Sequence, residues 1–178
     1  MHAPLLGEKP HKQFGPPQAA GPYGKENGDL FRAMRHSPRY KNVTFQQCTY
    51  ISDREALEQF LAITFYIPNV GYYLCFRGTD GTLIGWKENL SVLYHKATLA
   101  QIDAVEYIYQ FMQRHPNDHF MIGGHSKGGN LAMYALFFSH DDILSKIDCA
   151  YSFDGYGFPN KDFRDTANYN DCLPKLIQ

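Results

Sequence analysis

His119-Phe120-Met121-Ile122-Gly123-Gly124-His125-Ser126-Lys127-Gly128-Gly129-Asn130-Leu131 reads as a buried strand, a sharp turn and the start of a helix. Phe120-Met121-Ile122 is a short apolar run, and Asn130 to Phe138 is an apolar helical segment. Between them, Gly124-His125-Ser126-Lys127-Gly128 matches G-x-S-x-G. In a nucleophile elbow of that pattern, a strained turn lifts a serine hydroxyl above a sheet. The flanking glycines let strand and helix pass closely without Cβ clashes. The competing reading is a Gly-rich turn with an incidental serine.

Upstream, Leu99 to Arg114 carries Ile102, Val105, Ile108 and Met112 at helical spacing, closed by His115-Pro116. Glu58 to Ile67 is rich in Phe, Ile, Thr and Tyr and reads as a strand. Pro68-Asn69 breaks it, and Tyr72 to Phe76 completes a hairpin. Asn42 to Ile51 alternates loosely as a further strand, and Ser52 to Glu55 is a polar turn. Asp29 can cap a short helix from Leu30 to Arg35. Trp86 to Tyr94 reads as another short helix. Residues 1–27, rich in Pro, Gly, His and Lys without periodicity, read as a disordered tail or a partial segment. Residues 28–178 form the domain. Downstream, Asp141 or Asp142 can cap a short turn, Cys149 to Phe153 is a strand, and Tyr156 to Gln178 is polar with scattered apolar residues. Strands alternating with helices argue a parallel sheet, and the hairpin argues an antiparallel edge. The expectation is an α/β-hydrolase fold, incomplete at its carboxyl end.

The 178 residues suit one domain with a sizeable core. A formal net charge of −1 gives no electrostatic case for nucleic acid. No apolar run approaches the ~20 residues of a membrane span. Cys48, Cys75, Cys149 and Cys172 lie far apart, with Cys75 and Cys149 in expected core strands. That spacing suggests a reducing, cytoplasmic compartment. No metal-ligand spacing, phosphate loop or dinucleotide fingerprint is present, so neither cofactor nor metal is expected.

A serine hydroxyl is a poor nucleophile at neutral pH and needs a base, and the base an orienting acid. It also needs donors for an oxyanion. The backbone N–H of Lys127 is one expected donor. The second is Thr79, in Phe76-Arg77-Gly78-Thr79-Asp80, unless it is an ordinary turn threonine. Asp154, at the end of the strand after the elbow helix, is the favoured acid, and Asp171 is held in reserve. The Lys127 side chain faces a carboxylate, a substrate or solvent, and Arg77 braces its loop by pairing with an acid.

The base is missing from this arrangement. In such folds it follows the acid, yet no histidine follows His140. His125 is expected to pack beneath the turn, and His119 lies at the far end of its strand. His95, His115 and His140 fall at element ends, and His2, His11 and His36 lie in or near the start.

Phe76-Arg77-Gly78-Thr79-Asp80, Gly85-Trp86-Lys87-Glu88-Asn89, Gly123 to Ala132, and Phe153-Asp154-Gly155-Tyr156-Gly157-Phe158 occur in order. Together they resemble the Mbeg-like family, a bacterial, lipase-like group of α/β-hydrolases, over about residues 29–178. The Arg-Gly-Thr loop and the G-H-S-x-G turn also look like the class 3 lipases. Tyr156 stands where the family commonly has proline. The resemblance implies an esterase-like site with Ser126 as nucleophile and Thr79 near the oxyanion. It also implies more chain at both ends, including a downstream histidine for Asp154 to orient. The expected function is hydrolysis of carboxylic esters, including acyl lipids, through an acyl-enzyme on Ser126. The alternatives are an inactive binding module on the same fold, and an acyltransferase or thioesterase.

Overall fold

A computed structural model of the chain describes residues 24–53, 55–56, 58–79, 97–158 and 169–178. The expected Trp86–Tyr94 helix and the tail before residue 24 lie outside these residues, as do His2, His11 and His95.

Six strands form one sheet in sequence order. The first three, β1 (Thr44–Asp53), β2 (Glu58–Ile67) and β3 (Gly71–Phe76), make an antiparallel meander. Asn69 closes the β2–β3 turn in the left-handed region, φ 66°, which asparagine tolerates. The sheet then turns parallel through β4 (Phe120–His125), β5 (Ile147–Phe153) and β6 (Leu176–Ile177). The expected mixture of a parallel sheet and an antiparallel edge is present.

Helix α1 (Gly24–His36) precedes the sheet. It starts well before the short helix expected from Asp29, so Gly24 to Asn27, assigned to the tail, are helical. Asp29 is internal and pairs with Arg32 instead of capping. Helix α2 (Leu99–Arg114) joins β3 to β4, and α3 (Lys127–Phe138) joins β4 to β5. The short α4 (Asp141–Leu144) follows α3. Near the end, α5 (Tyr169–Cys172) and a single 3₁₀ turn lead into β6. The sequence reads this stretch as polar with scattered apolar residues and assigns it no helix or strand. Its two-residue strand is held by pairing with Ala150 and Tyr151 rather than by its own composition.

Parallel crossovers are right-handed, so a strand order that never reverses sends successive helices to one face. Helices α2 to α5 accordingly bury their apolar residues in a single cluster with Phe60, Leu74, Phe76, Phe120 and Ile122. Phe111 meets Phe120 edge-on at 5.3 Å, and Phe60 meets Tyr107 at 6.3 Å. Buried Thr64 and Tyr107 share a hydrogen bond of 2.8 Å inside this layer. Most of α3 is buried, which explains its apolar composition around the whole circumference. The other sheet face presents Ile63, Phe65, Tyr73, Cys75, Met121, Cys149 and Tyr151, all half-buried. Cys75 and Cys149 thus lie in sheet strands as expected, but on this second face, and all four cysteines are free.

Parallel neighbours β3, β4 and β5 end at one level, because Phe76 pairs with Gly124 and His125 with Phe153. The segments that follow them therefore meet at one edge.

Candidate active site

Ser126 sits at that edge, between β4 and α3, with φ 55° and ψ −120°. A non-glycine residue reaches such a conformation only when its surroundings impose it, at a cost of about 1–3 kcal/mol. Two hydrogen bonds hold it. The Ser126 N–H donates to Phe153 O at 2.8 Å, and the Asn130 N–H donates to Ser126 O at 3.1 Å.

Close packing does the rest. A Cβ on Gly124 would lie 2.4 Å from Phe76 O, and one on Gly128 would lie 2.1 Å from the same oxygen. The carbonyl at the end of β3 therefore occupies the crevice that the two motif glycines leave open. The Gly78 backbone presses on the turn: its Cβ would stand 2.9 Å from His125 O and 3.8 Å from Ser126 Cβ. The Arg77-Gly78-Thr79 segment and the serine turn are thus in close contact. The Arg77 guanidinium lies over the Tyr50 ring, 5.7 Å from its centroid.

The Lys127 side chain is not in solvent. It is only 2% exposed, and its ammonium donates to the Gln59 carbonyl on β2. Arg77 N–H donates to Leu61 O of the same strand. The elbow and the Arg-Gly-Thr segment are therefore both tied to the extension of β2 beyond its pairing with β3.

Asp154 follows β5 directly and also has positive φ, 50°. Its carboxylate is 92% exposed and stands 3.7 Å from Nε2 of His125, itself 71% exposed. His125 is therefore on the surface and not beneath the turn. Asp171 lies elsewhere. It borders a shallow hollow with Asp141, Leu144, Ser145, Cys172 and Lys175. Lys175 donates there to the carbonyls of Leu144 and Ile147, at the amino end of β5 and so at the sheet edge opposite Ser126.

The other described histidines are also remote. His115 stacks on Phe111 at 4.5 Å, and His119 contacts Asp148, both at the amino end of β4. His140 caps α4, and His36 ends α1.

Two residues that sequence reasoning passed over brace the site from below. Asn130 is fully buried; its amide accepts from Gln101 Nε2 at 2.8 Å and donates to Tyr156 O at 2.9 Å. Gln101 in turn forms a capping box with Thr98 at the start of α2. The start of α2, the first turn of α3 and the loop after Asp154 are joined by this chain of bonds. Thr98-x-x-Gln101 is the legible trace of it in the sequence. Among the described residues no His, Cys, Asp and Glu cluster suits a metal ion.

A strained serine at a glycine-flanked turn, on a mixed sheet with crossover helices, defines an α/β-hydrolase fold. The solved structure of M37 lipase is similar at TM-score 0.56 and 16% identity, over 85% of this chain and 57% of its own. A second, brefeldin A esterase, described as a bacterial homologue of human hormone-sensitive lipase, aligns at TM-score 0.37 and 16% identity, over 83% of this chain and 52% of its own. The chain thus spans little more than half the length of these solved proteins. No curated protein matches the sequence. The Mbeg1-like family model matches residues 34–178, and the chain belongs to that family. No described helix is long and apolar enough to cross a membrane.

Proposed function

We propose that the chain carries the nucleophile of a serine hydrolase that cleaves carboxylic esters. The observation that carries this reading is the conformation of Ser126. Three described non-glycine residues have positive φ: Asn69, Ser126 and Asp154. Asn69 is accounted for by its hairpin turn. Ser126 and Asp154 lie at the ends of adjacent parallel strands, where strain marks function more often than it serves folding.

In the proposed reaction, Ser126 Oγ attacks the ester carbonyl and the alcohol leaves with a proton from the base. Water then hydrolyses the acyl-enzyme. The backbone N–H groups of Lys127 and Thr79 hold the oxyanion, each worth about 3–4 kcal/mol. The contact of Gly78 with the turn supports Thr79 in that role. Asp154 orients the base. Exposed Phe153, whose carbonyl holds Ser126, favours an ester with an apolar acyl group. Four free thiols fit a reducing compartment.

One observation favours a second reading. The only described histidine at this edge, His125, faces Asp154 as its neighbour along the surface. Without a base the module binds a ligand and does no chemistry. Fluorophosphonate labelling of the natural full-length protein, beside Ser126→Ala, separates the two. Labelling lost in Ser126→Ala upholds the hydrolase; a folded protein that never labels makes this a binding module.

A further inference from the structure

Helix α1 buries none of its residues. Leu30 is 59% exposed, Phe31 67% and Met34 39%. Their spacing of one and four residues puts them on one side of the helix. The helix itself carries three basic residues against two acidic ones, and two further basic residues follow just past it. Between Gly24 and Lys41 stand Lys25, Arg32, Arg35, Arg39 and Lys41 against Glu26 and Asp29, a net charge of +3 in a chain whose formal total is −1. Asp29 is engaged with Arg32. Just past the helix, Tyr40 is half-exposed beneath the Arg39 guanidinium, 5.3 Å from its ring centre.

We propose that α1 docks the protein on an anionic lipid surface, with Leu30, Phe31 and Met34 entering the interface and the basic residues meeting the headgroups. The combination of a short apolar stripe, a net positive charge over the helix and the turn that follows it, and an adjoining tyrosine is that of a helix lying in a membrane interface. Charge decides between occupants. A second copy would bring the same excess of positive charge against itself in a two-fold contact. An anionic headgroup layer complements it and attracts each nearby Lys or Arg. A nucleic acid would satisfy the charge but leave the apolar stripe in water. The inference does not depend on the hydrolase reading.

Co-sedimentation with vesicles tests it, using phosphatidylcholine alone and phosphatidylcholine mixed with phosphatidylglycerol. The protein should bind the mixed vesicles at least about tenfold better, and added salt should weaken that binding. Leu30→Ser with Phe31→Ser, and separately Arg35→Glu with Arg39→Glu, should each cut binding to mixed vesicles about tenfold. None of these side chains is buried, so thermal melting should be unchanged in both variants. Equal binding to the two vesicle types, no binding, or indifference to both variants overturns the proposal. So does a dimer that Leu30→Ser with Phe31→Ser converts to monomer, or a preference for duplex oligonucleotide over vesicles.

Discussion

Gly128→Ala adds one methyl group where the helix after Ser126 crosses the end of β3. The new Cβ would stand 2.1 Å from Phe76 O, 2.9 Å from Phe76 C and 3.2 Å from Arg77 C. Even weak C–H···O contacts keep carbon and oxygen about 3.3 Å apart, so the gap must open by roughly 1 Å. β3 cannot supply that movement cheaply, because Phe76 is paired with Ala62 on one side and Gly124 on the other. The helix must shift and carry Ser126 and Lys127 away from Gly78 and Thr79. Overpacking of this kind costs about 1–3 kcal/mol. Alanine's better helix propensity returns at most about 1 kcal/mol. A net loss of about 1–2 kcal/mol corresponds to a fall in Tm of roughly 2–8 °C for a chain of this size. A displacement of about 1 Å should also slow reaction of the serine roughly a hundredfold. Circular-dichroism melting and the rate of fluorophosphonate labelling measure the two effects. Gly157→Ala is the control, since nothing lies within 4 Å of the added methyl. If Gly128→Ala melts with the wild type and labels at the same rate, close approach of α3 to β3 does not position Ser126, and the account of the turn is wrong.

Ser126→Gly should melt a few degrees above Ser126→Ala, because glycine relieves a backbone strain of about 1–3 kcal/mol that alanine retains; equal melting would show the turn to be unstrained. Asn130→Ala should cost about 2–3 kcal/mol by stranding the buried Gln101 amide, and a urea midpoint unchanged from wild type would remove the bracing role. Burial pushes the Tyr107 phenol up to about 12, against the opposing effect of its bond to Thr64. The neutral phenol is the form that the fold favours, so its contribution is full below pH 10 and is lost as pH rises toward 12. Tyr107→Phe should therefore flatten the fall in stability between pH 10 and 12, read from urea unfolding at each pH, and an unchanged slope would assign the alkaline loss to other groups.

Much of the fold was legible because local chemistry and tertiary demand agree. β2 spans Glu58–Ile67 and α2 spans Leu99–Arg114 as expected, each with an apolar period closed by its own breaker, Pro68-Asn69 and His115-Pro116. The glycine-flanked turn was legible for a different reason: glycines on both sides of Ser126 have little purpose unless backbones pass closely there. What stayed hidden depends on distant partners. Lys127 has an ordinary sequence context, and only the extension of β2 past β3 supplies the Gln59 carbonyl that buries it. β6 is a strand only because Ala150 and Tyr151 offer an open edge. The sequence favours Asp154 over Asp171 as the acid without excluding the latter, and strand direction separates them by putting Asp171 at the opposite edge. The early start of α1 was masked by Gly24, Asn27 and Gly28, which are weak helix formers.

The glycines around Ser126 serve packing and, on the proposed function, chemistry with the same atoms. Gly78, Gly124, Gly128, Gly129 and Gly155 let the three segments leaving β3, β4 and β5 come together. Cβ atoms on Gly129 and Gly155 would stand 3.0 Å from Gly155 Cα and 2.8 Å from Gly129 C respectively. The approach of α3 to β5 thus depends on both, as its approach to β3 depends on Gly124 and Gly128. Since Ser126 hangs between these contacts, any change that loosens one also moves the hydroxyl. Stability and serine reactivity should therefore fall together at Gly124, Gly128, Gly129 and Gly155. They should separate at Asp154, whose exposed carboxylate has little packing to lose. Asp154→Asn should leave melting within about 0.5 kcal/mol of wild type, as for an ordinary surface change. If Asp154 orients the base, labelling of Ser126 should nevertheless slow by orders of magnitude. Labelling at the wild-type rate in Asp154→Asn would remove Asp154 from the mechanism while leaving Ser126 in it.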